Sequence, residues 1–90
     1  MNIVQTLYFK RNYKKLHSKE KELVNNAIRK VISDPSRGEL KKGDLAGVRV
    51  FKFKVLDQQF LMAYEHNKDT LFLLALGVHE NFYRDLKKAT

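Results

Sequence analysis

The chain has 90 residues, enough for one folded domain and too few for two. Eighteen Lys and Arg against ten Asp and Glu give a net charge of +8 and a pI near 9.8. This positive field favours polyanionic partners such as nucleic acid or an acidic protein. Solubility alone is the alternative, but the cations cluster along the chain rather than scatter.

Residue types that hold metals and cofactors are sparse. Cysteine is absent, and the three histidines are far apart in sequence, without the spacing of metal ligands. The acidic residues are isolated, so we expect no metal and no cofactor. The N-terminus has no cleavage signature, and no apolar run approaches the ~20 residues that a membrane span requires. These features predict a cytoplasmic protein that does not bind membranes.

The first half of the chain predicts one strand and two helices. Residues 3–8 are β-prone and predict a first strand. From Phe9 onward the apolar residues recur at helical spacing, and the opposite side is basic. Ser18 is a natural N-cap for a second, amphipathic helix. That helix should end at Asp34, because Pro35 disfavours helix in the residue before it.

The second half predicts an antiparallel meander. Residues 35–47 hold the only proline and three glycines, so they predict a loop. Three β-rich runs follow, joined by connections short enough for tight turns, at 48–56, 59–66 and 70–77. The third run is almost entirely apolar, so we expect it inside the sheet. Residues 79–88 predict a short closing helix that turns Phe82 and Leu86 inward.

The predicted element order is β-α-α-β-β-β-α within one domain, residues 1–90. This order predicts an α+β fold in which two N-terminal helices pack on one face of an antiparallel sheet. A short C-terminal helix completes it.

Strand 48–56 carries the first candidate for function. Side chains alternate across a strand, so Phe51 and Phe53 should face the helices while Lys52 and Lys54 face the opposite side. Two ammonium groups on a rigid strand form a platform for phosphate. The alternative is a solvated sheet face, where lysine is ordinary.

The closing helix carries the second candidate. His79 and Tyr83 are four residues apart, so they lie on the same side of the predicted helix. Histidine can move protons near neutral pH, and tyrosine can stack on a base. The alternative is structural, with His79 capping the helix and Tyr83 packing against the sheet.

Further cations suit electrostatic contact with a phosphate backbone, without special geometry. They lie in the first helix, the loop, the second strand and the closing helix: Lys10, Arg11, Lys14, Lys41, Lys42, Arg49 and Arg84. A plain solvated surface is the alternative interpretation.

Three sequence motifs, in this order and spacing, resemble one known family. They are KGDLAG before the second strand (42–47), LLALG in the last strand (73–77) and HENFYRDL at the end (79–86). Residues 38–88 thereby resemble the ParE-like branch of the RelE/ParE toxin superfamily, the toxins of bacterial type II toxin–antitoxin systems. The predicted element order agrees with that fold along the whole chain.

The resemblance implies one of two targets. RelE-like members cleave mRNA in the ribosomal A site, and ParE-like members poison DNA gyrase. Both are neutralised by an antitoxin whose extended tail wraps the toxin, and the complex usually represses its own operon at operator DNA. The net charge of this chain suits an acidic, partly disordered antitoxin. One fold hosts both activities, so the target stays open, and a degenerate toxin that only binds its antitoxin is a third alternative.

For the RelE-like activity, an endoribonuclease or mRNA interferase, the resemblance implies specific site residues. Lys52 and Lys54 match the basic strand positions of the family, and His79 and Tyr83 match its C-terminal positions. The implied mechanism needs no metal: the lysines stabilise charge on the phosphate, His79 is the general acid, and Tyr83 orients the nucleotide. Residues 59–64 depart from the pattern, because they lack the arginine that many relatives carry in that strand.

Overall fold

The first elements of the chain are a short strand and a helix. In the computed structural model, which describes residues 1–78 together with Phe82, Tyr83 and Leu86, β1 spans Asn2–Gln5 and α1 spans Leu7–Lys14. The prediction of a strand through residue 8 is therefore wrong after Gln5. The cause is Thr6, whose Oγ1 accepts a hydrogen bond from the Phe9 amide (3.2 Å) and so starts α1 earlier than the apolar pattern indicates.

The second helix, α2, spans Ser18–Ser33. Its N-cap is His17 rather than the predicted Ser18, because Glu20 Oε1 accepts a hydrogen bond from the His17 amide (2.8 Å). The end of α2 before Asp34 and Pro35 agrees with the prediction.

A five-stranded sheet follows, with strand order β1-β5-β4-β3-β2. Its remaining strands are β2 (Glu39–Leu40), β3 (Arg49–Val55), β4 (Gln58–His66) and β5 (Thr70–Gly77). The last three form the predicted antiparallel meander, and β5 lies inside the sheet. The sheet as a whole is mixed rather than antiparallel, because β1 pairs with β5 in parallel.

The segment 35–47 also differs from the prediction of a plain loop. It contains β2, which pairs with the start of β3, between single turns of 3₁₀ helix at Pro35–Arg37 and Gly43–Leu45. A strand of two residues is too short to produce a detectable alternation of apolar and polar residues.

The sheet has two differently covered faces. On the helix face, α1 packs against β5 and α2 packs against β3. The buried side chains there come from both helices and from three strands: Phe9, Val24, Ala27, Val31, Val55, Phe60, Met62, Tyr64, Leu71, Leu73 and Leu76. On the far face, a smaller buried cluster consists of Val48, Val50, Leu61, Ala63, Leu74, Ala75, Phe82 and Leu86.

A bulge in β5 accepts a hydrogen bond from the N-terminal part of the chain. Ala63 pairs with Ala75 while Tyr64 pairs with Leu73, so Leu74 is the additional residue. Thr6 Oγ1 donates a hydrogen bond to the Leu74 carbonyl (2.5 Å). The end of β1 and the start of α1 are thereby fixed to the interior of the sheet.

Only part of the predicted closing helix can be compared with the structure. Phe82, Tyr83 and Leu86 are helical, and both Phe82 and Leu86 are buried, as predicted. The other residues of 79–88, which include the candidates His79 and Arg84, lie outside the described residues.

Candidate nucleic-acid interface

Lys52 and Lys54 lie on the far face of the sheet, and both are exposed. The register of β3 and β4 is continuous from Arg49 to Val55, and it places Lys52 opposite Leu61, which is buried in the far-face cluster. A two-residue turn that begins at Leu56, with φ +57°, fixes this register. The predicted alternation is therefore present: Phe51 and Phe53 pack against the helix-face core and the lysines do not.

Lys54 is also close to the outer edge of the sheet. It borders a groove of about 480 Å³ between β3 and α2, whose apolar part includes the stacked rings of Phe51 and Phe53 (centroids 5.8 Å apart). Beyond Val50, β3 has no further pairing with β2. Within the described residues, the lysine pair therefore lies beside an unpaired strand edge.

Lys41 and Tyr83 form a contact on the same face. Lys41 Nζ lies 3.2 Å from Glu39 Oε1 and 5.8 Å from the centroid of the Tyr83 ring. Tyr83 is half-buried against the far-face cluster, with its ring edge-on to Phe82 at 5.1 Å. The hydrogen bond to Glu39 is the main cause that raises the pKa of Lys41, so its ammonium stays charged. The neighbouring Lys42 is exposed.

Arg49 lies on the helix face, apart from the two lysines. Its guanidinium donates hydrogen bonds to the carbonyls of Gly38 (2.9 Å) and Ser36 (3.3 Å), and it lies opposite Tyr64 in the β3–β4 register. Tyr64 is fully buried; its hydroxyl donates to the Pro35 carbonyl (2.6 Å) and accepts from the Gly38 amide (2.9 Å). The structure therefore gives Arg49 a role in holding the 35–40 segment.

The cations of α1 form a separate basic surface. Lys10, Arg11 and Lys14 are exposed and border a groove of about 470 Å³ with Tyr13. Because α1 covers the helix face, this surface lies on the other side of the sheet from Lys52. The structure thus divides the predicted phosphate contacts between two sides of the molecule.

Two functional features were not apparent from the sequence. The first is the ion pair between Glu39 and Lys41. Residues two apart on a strand lie on the same face, so their spacing in the sequence could have indicated this pair. Tyr64 gave no signal, because its partners Pro35 and Gly38 are distant in sequence and join it only through the fold.

The described part of the chain has neither a metal-binding cluster nor a helix suited to crossing a membrane. No group of three or more His, Cys, Asp or Glu side chains there could hold a metal ion. None of the helices in residues 1–78 is both long enough and apolar enough to cross a membrane.

Known proteins similar to this chain share its architecture. The family model for the ParE-like toxin of type II bacterial toxin–antitoxin systems matches residues 3–87. A chain of the intact E. coli RelBE toxin–antitoxin complex aligns with a TM-score of 0.69 and 16% identity, over 88% of this chain and 96% of the other. A doubly substituted E. coli RelE in the free state aligns with a TM-score of 0.72 and 13% identity, over 98% and 90%.

A third structure, the conserved hypothetical protein HP0894 from Helicobacter pylori, aligns with a TM-score of 0.57 and 23% identity, over 88% and 94%. At these identities the structural likeness shows the fold alone. The search of curated proteins found no match. The family model covers nearly the whole chain, and we conclude that the chain belongs to the ParE-like toxin family of type II bacterial toxin–antitoxin systems.

Proposed function

We propose that this toxin stops translation by cutting ribosome-bound mRNA without a metal, and that the reaction takes place on the far face. The observation that carries the proposal is the exposed pair Lys52 and Lys54 on the same face as Tyr83. Within the described residues neither lysine takes part in an ion pair. Their charge is therefore available to an incoming phosphate.

The strand holds the backbone of the two lysines at a defined separation. Alternate residues of a strand are about 6.4–6.8 Å apart, and β3 is paired with β4 along its whole length. A rigid element presents charged groups more precisely than a loop does. This geometry favours a specific phosphate site over diffuse electrostatic contact.

RNA carries its own nucleophile for this reaction. The 2′-hydroxyl gives up its proton to solvent and attacks the adjacent phosphorus, and the bond to the 5′-oxygen breaks, which leaves a 2′,3′-cyclic phosphate and a 5′-hydroxyl end. We assign stabilisation of the phosphoryl oxygens to Lys52 and Lys54, and orientation of the nucleotide to Tyr83. His79, outside the described residues, is proposed to protonate the leaving oxygen. The ribosome supplies the remaining alignment, so free RNA should be cut poorly.

We also propose that an acidic antitoxin binds and neutralises this chain; the similar E. coli chain comes from a RelBE toxin–antitoxin complex. Two features support a protein partner besides the charge of +8. The edge strand β1 exposes Ile3 and Val4, and α1 exposes Leu7 next to its basic surface. An extended acidic segment would cover both apolar and basic groups. Coexpression with a neighbouring gene should raise yield and stability, and operator binding should need the antitoxin.

A second candidate function is inhibition of DNA gyrase without chemistry. The observation in its favour is that β4 places Gln59, Leu61 and Ala63 opposite β3 on the far face, and none of them is a cation, whereas many RelE-like relatives carry an arginine there. A toxin that only binds gyrase does not require Lys52, Lys54 and Tyr83 to act together.

Expression of the toxin in bacteria, with protein, RNA and DNA synthesis followed separately, distinguishes the two functions. We expect immediate arrest of protein synthesis and cut messages. Lys52→Gln/Lys54→Gln should restore growth and lower ribosome-dependent cleavage by at least about 100-fold, the effect of losing a charge-stabilising group. DNA damage with intact translation would instead support gyrase.

Lys19→Gln/Lys68→Gln is the matched control, because it removes the same charge at two other exposed positions. It should stay toxic. A folded Lys52→Gln/Lys54→Gln protein that is as toxic as this control would overturn the nuclease proposal.

A further inference from the structure

The strand β2 and the residue that follows it bring two charged side chains to the far face. Glu39 pairs with Val50, which is buried in the far-face cluster. Two residues later, the Lys41 amide donates a hydrogen bond to the carbonyl of Val48, a member of the same cluster (2.8 Å). Residues on paired strands that lie opposite each other share a face. Glu39 and Lys41 therefore lie on the same side as Lys52.

The Lys41 side chain is held in place by its neighbours, whereas the Lys42 side chain is exposed. Only 21% of the Lys41 side chain is exposed, and its Nζ lies 3.2 Å from Glu39 Oε1 and 5.8 Å from the Tyr83 ring centroid. A lysine that buries its aliphatic stem keeps its ammonium at a fixed place, and partial desolvation strengthens its attraction to an aromatic face. Lys42, one residue later, is exposed.

Phe82 and Lys41 are among the contacts that hold the Tyr83 ring. Phe82, which is buried, meets it edge-on at 5.1 Å, and Lys41 approaches it from the β2 side. A ring that is to stack on a nucleotide acts best when its orientation is fixed before the RNA arrives.

We propose that Lys41 is a positioning residue for RNA cleavage: its ammonium, held by Glu39, orients the Tyr83 ring for the nucleotide at Lys52 and Lys54. This inference rests on the proposed function. It assigns Lys41 a task different from that of Lys42, although both are lysines in the same loop. Lys42 contributes only to electrostatic attraction.

The test is single-turnover cleavage of a short mRNA bound to purified bacterial ribosomes, measured over a range of toxin concentrations. Lys41→Met should lower the saturating rate about tenfold, the scale of one desolvated cation–π contact. Lys41→Arg should restore most of the rate, because arginine also places a cation over an aromatic ring. Lys42→Met should change only the concentration dependence, and Lys68→Met is the control for loss of one charge.

A double-mutant cycle tests whether Lys41 acts through Tyr83. In a Tyr83→Ala background, Lys41→Met should lower the rate less than twofold further, because the ring that it orients is gone. If the two losses multiply instead, the positioning role is overturned. Glu39→Gln is a milder second variant, with an expected loss of about threefold, which keeps the test available if Lys41→Met fails to fold.

An NMR measurement separates this inference from the proposed function. The Tyr83 ring signals, identified by their loss in Tyr83→Phe, should shift in Lys41→Met and remain near their wild-type positions in Lys68→Met. A wild-type protein that cuts no ribosome-bound message overturns the proposed function. This inference alone is overturned by a different result: the wild type cleaves, Lys41→Met cleaves as fast as Lys68→Met, and the Tyr83 signals do not shift in Lys41→Met.

Discussion

The two faces of the sheet differ in what covers them. On the helix face, the side chains of α1 and α2 meet three strands in a continuous apolar core. On the far face, the buried cluster formed by the described residues is smaller, and along β3 it is followed by the exposed Lys52 and Lys54. The same strand thus supplies Phe51 and Phe53 to one face and two cations to the other.

This difference indicates that the two faces of the sheet have different roles, one in stability and one in binding. Burial of apolar area is the main stabilising contribution in a domain of this size, and among the described residues the larger buried cluster lies on the helix face. Side chains that bind an anionic partner must be exposed and must carry a charge that no neighbour neutralises. Such side chains contribute little to stability. We therefore expect substitutions of buried residues on the helix face to change the free energy of unfolding, and substitutions of the exposed far-face lysines to change activity.

The largest expected effect on stability is at Phe9, which is 1% exposed at the junction of α1 and the sheet. Phe9→Ala removes a buried ring and leaves a cavity, so we expect a loss of about 3–5 kcal/mol. Urea unfolding followed by circular dichroism measures it. Leu7→Ala is the matched control on the same helix, because Leu7 is 68% exposed and should change stability by less than about 0.5 kcal/mol. Equal effects of the two changes would contradict the assignment of the core to this face.

A smaller loss is expected from Tyr64→Phe. The change leaves the Pro35 carbonyl and the Gly38 amide without their buried partner, at a cost of about 1–3 kcal/mol. Gly38→Ala should act on the same contact, because a Cβ at residue 38 would lie 2.8 Å from the Tyr64 hydroxyl oxygen. Urea unfolding at pH 7 measures both.

The pH dependence of this contact has a defined sign. Burial raises the pKa of the Tyr64 phenol, so above about pH 10 the unfolded chain loses that proton first. Stability contributed by Tyr64 is therefore complete below pH 10 and falls as the pH rises further. The difference in free energy of unfolding between wild type and Tyr64→Phe should shrink between pH 9 and pH 11. A constant difference over that range would contradict burial as the cause.

The sequence predicted those parts of the fold that depend on short-range patterns. The alternation along β3 was sufficient to place Lys52 and Phe53 on opposite faces, because a strand with one apolar side has only one register that buries it. The end of α2 was predictable because Pro35 constrains the residue before it.

Features that depend on distant partners could not be predicted. The parallel pairing of β1 with β5 joins the two ends of the described chain and leaves no mark in either segment. The bulge at Leu74 lies in a uniformly apolar run, so no polar residue shows that the alternation between the two faces shifts by one residue there. In the candidate site, Lys41 and Lys42 are equivalent as sequence, and only the fold places one of them against Tyr83.

The smallest expected effect on stability belongs to the far-face lysines. Lys52→Gln/Lys54→Gln removes two exposed cations from a chain of net charge +8, which lowers the repulsion among the remaining cations. We expect a change of less than about 0.5 kcal/mol, in the stabilising direction at low salt and near zero at high salt because the repulsion is then screened. Urea unfolding at two salt concentrations measures it. A loss above about 1 kcal/mol would mean that the lysines hold the sheet together, and their effect on activity could then no longer be assigned to contact with phosphate.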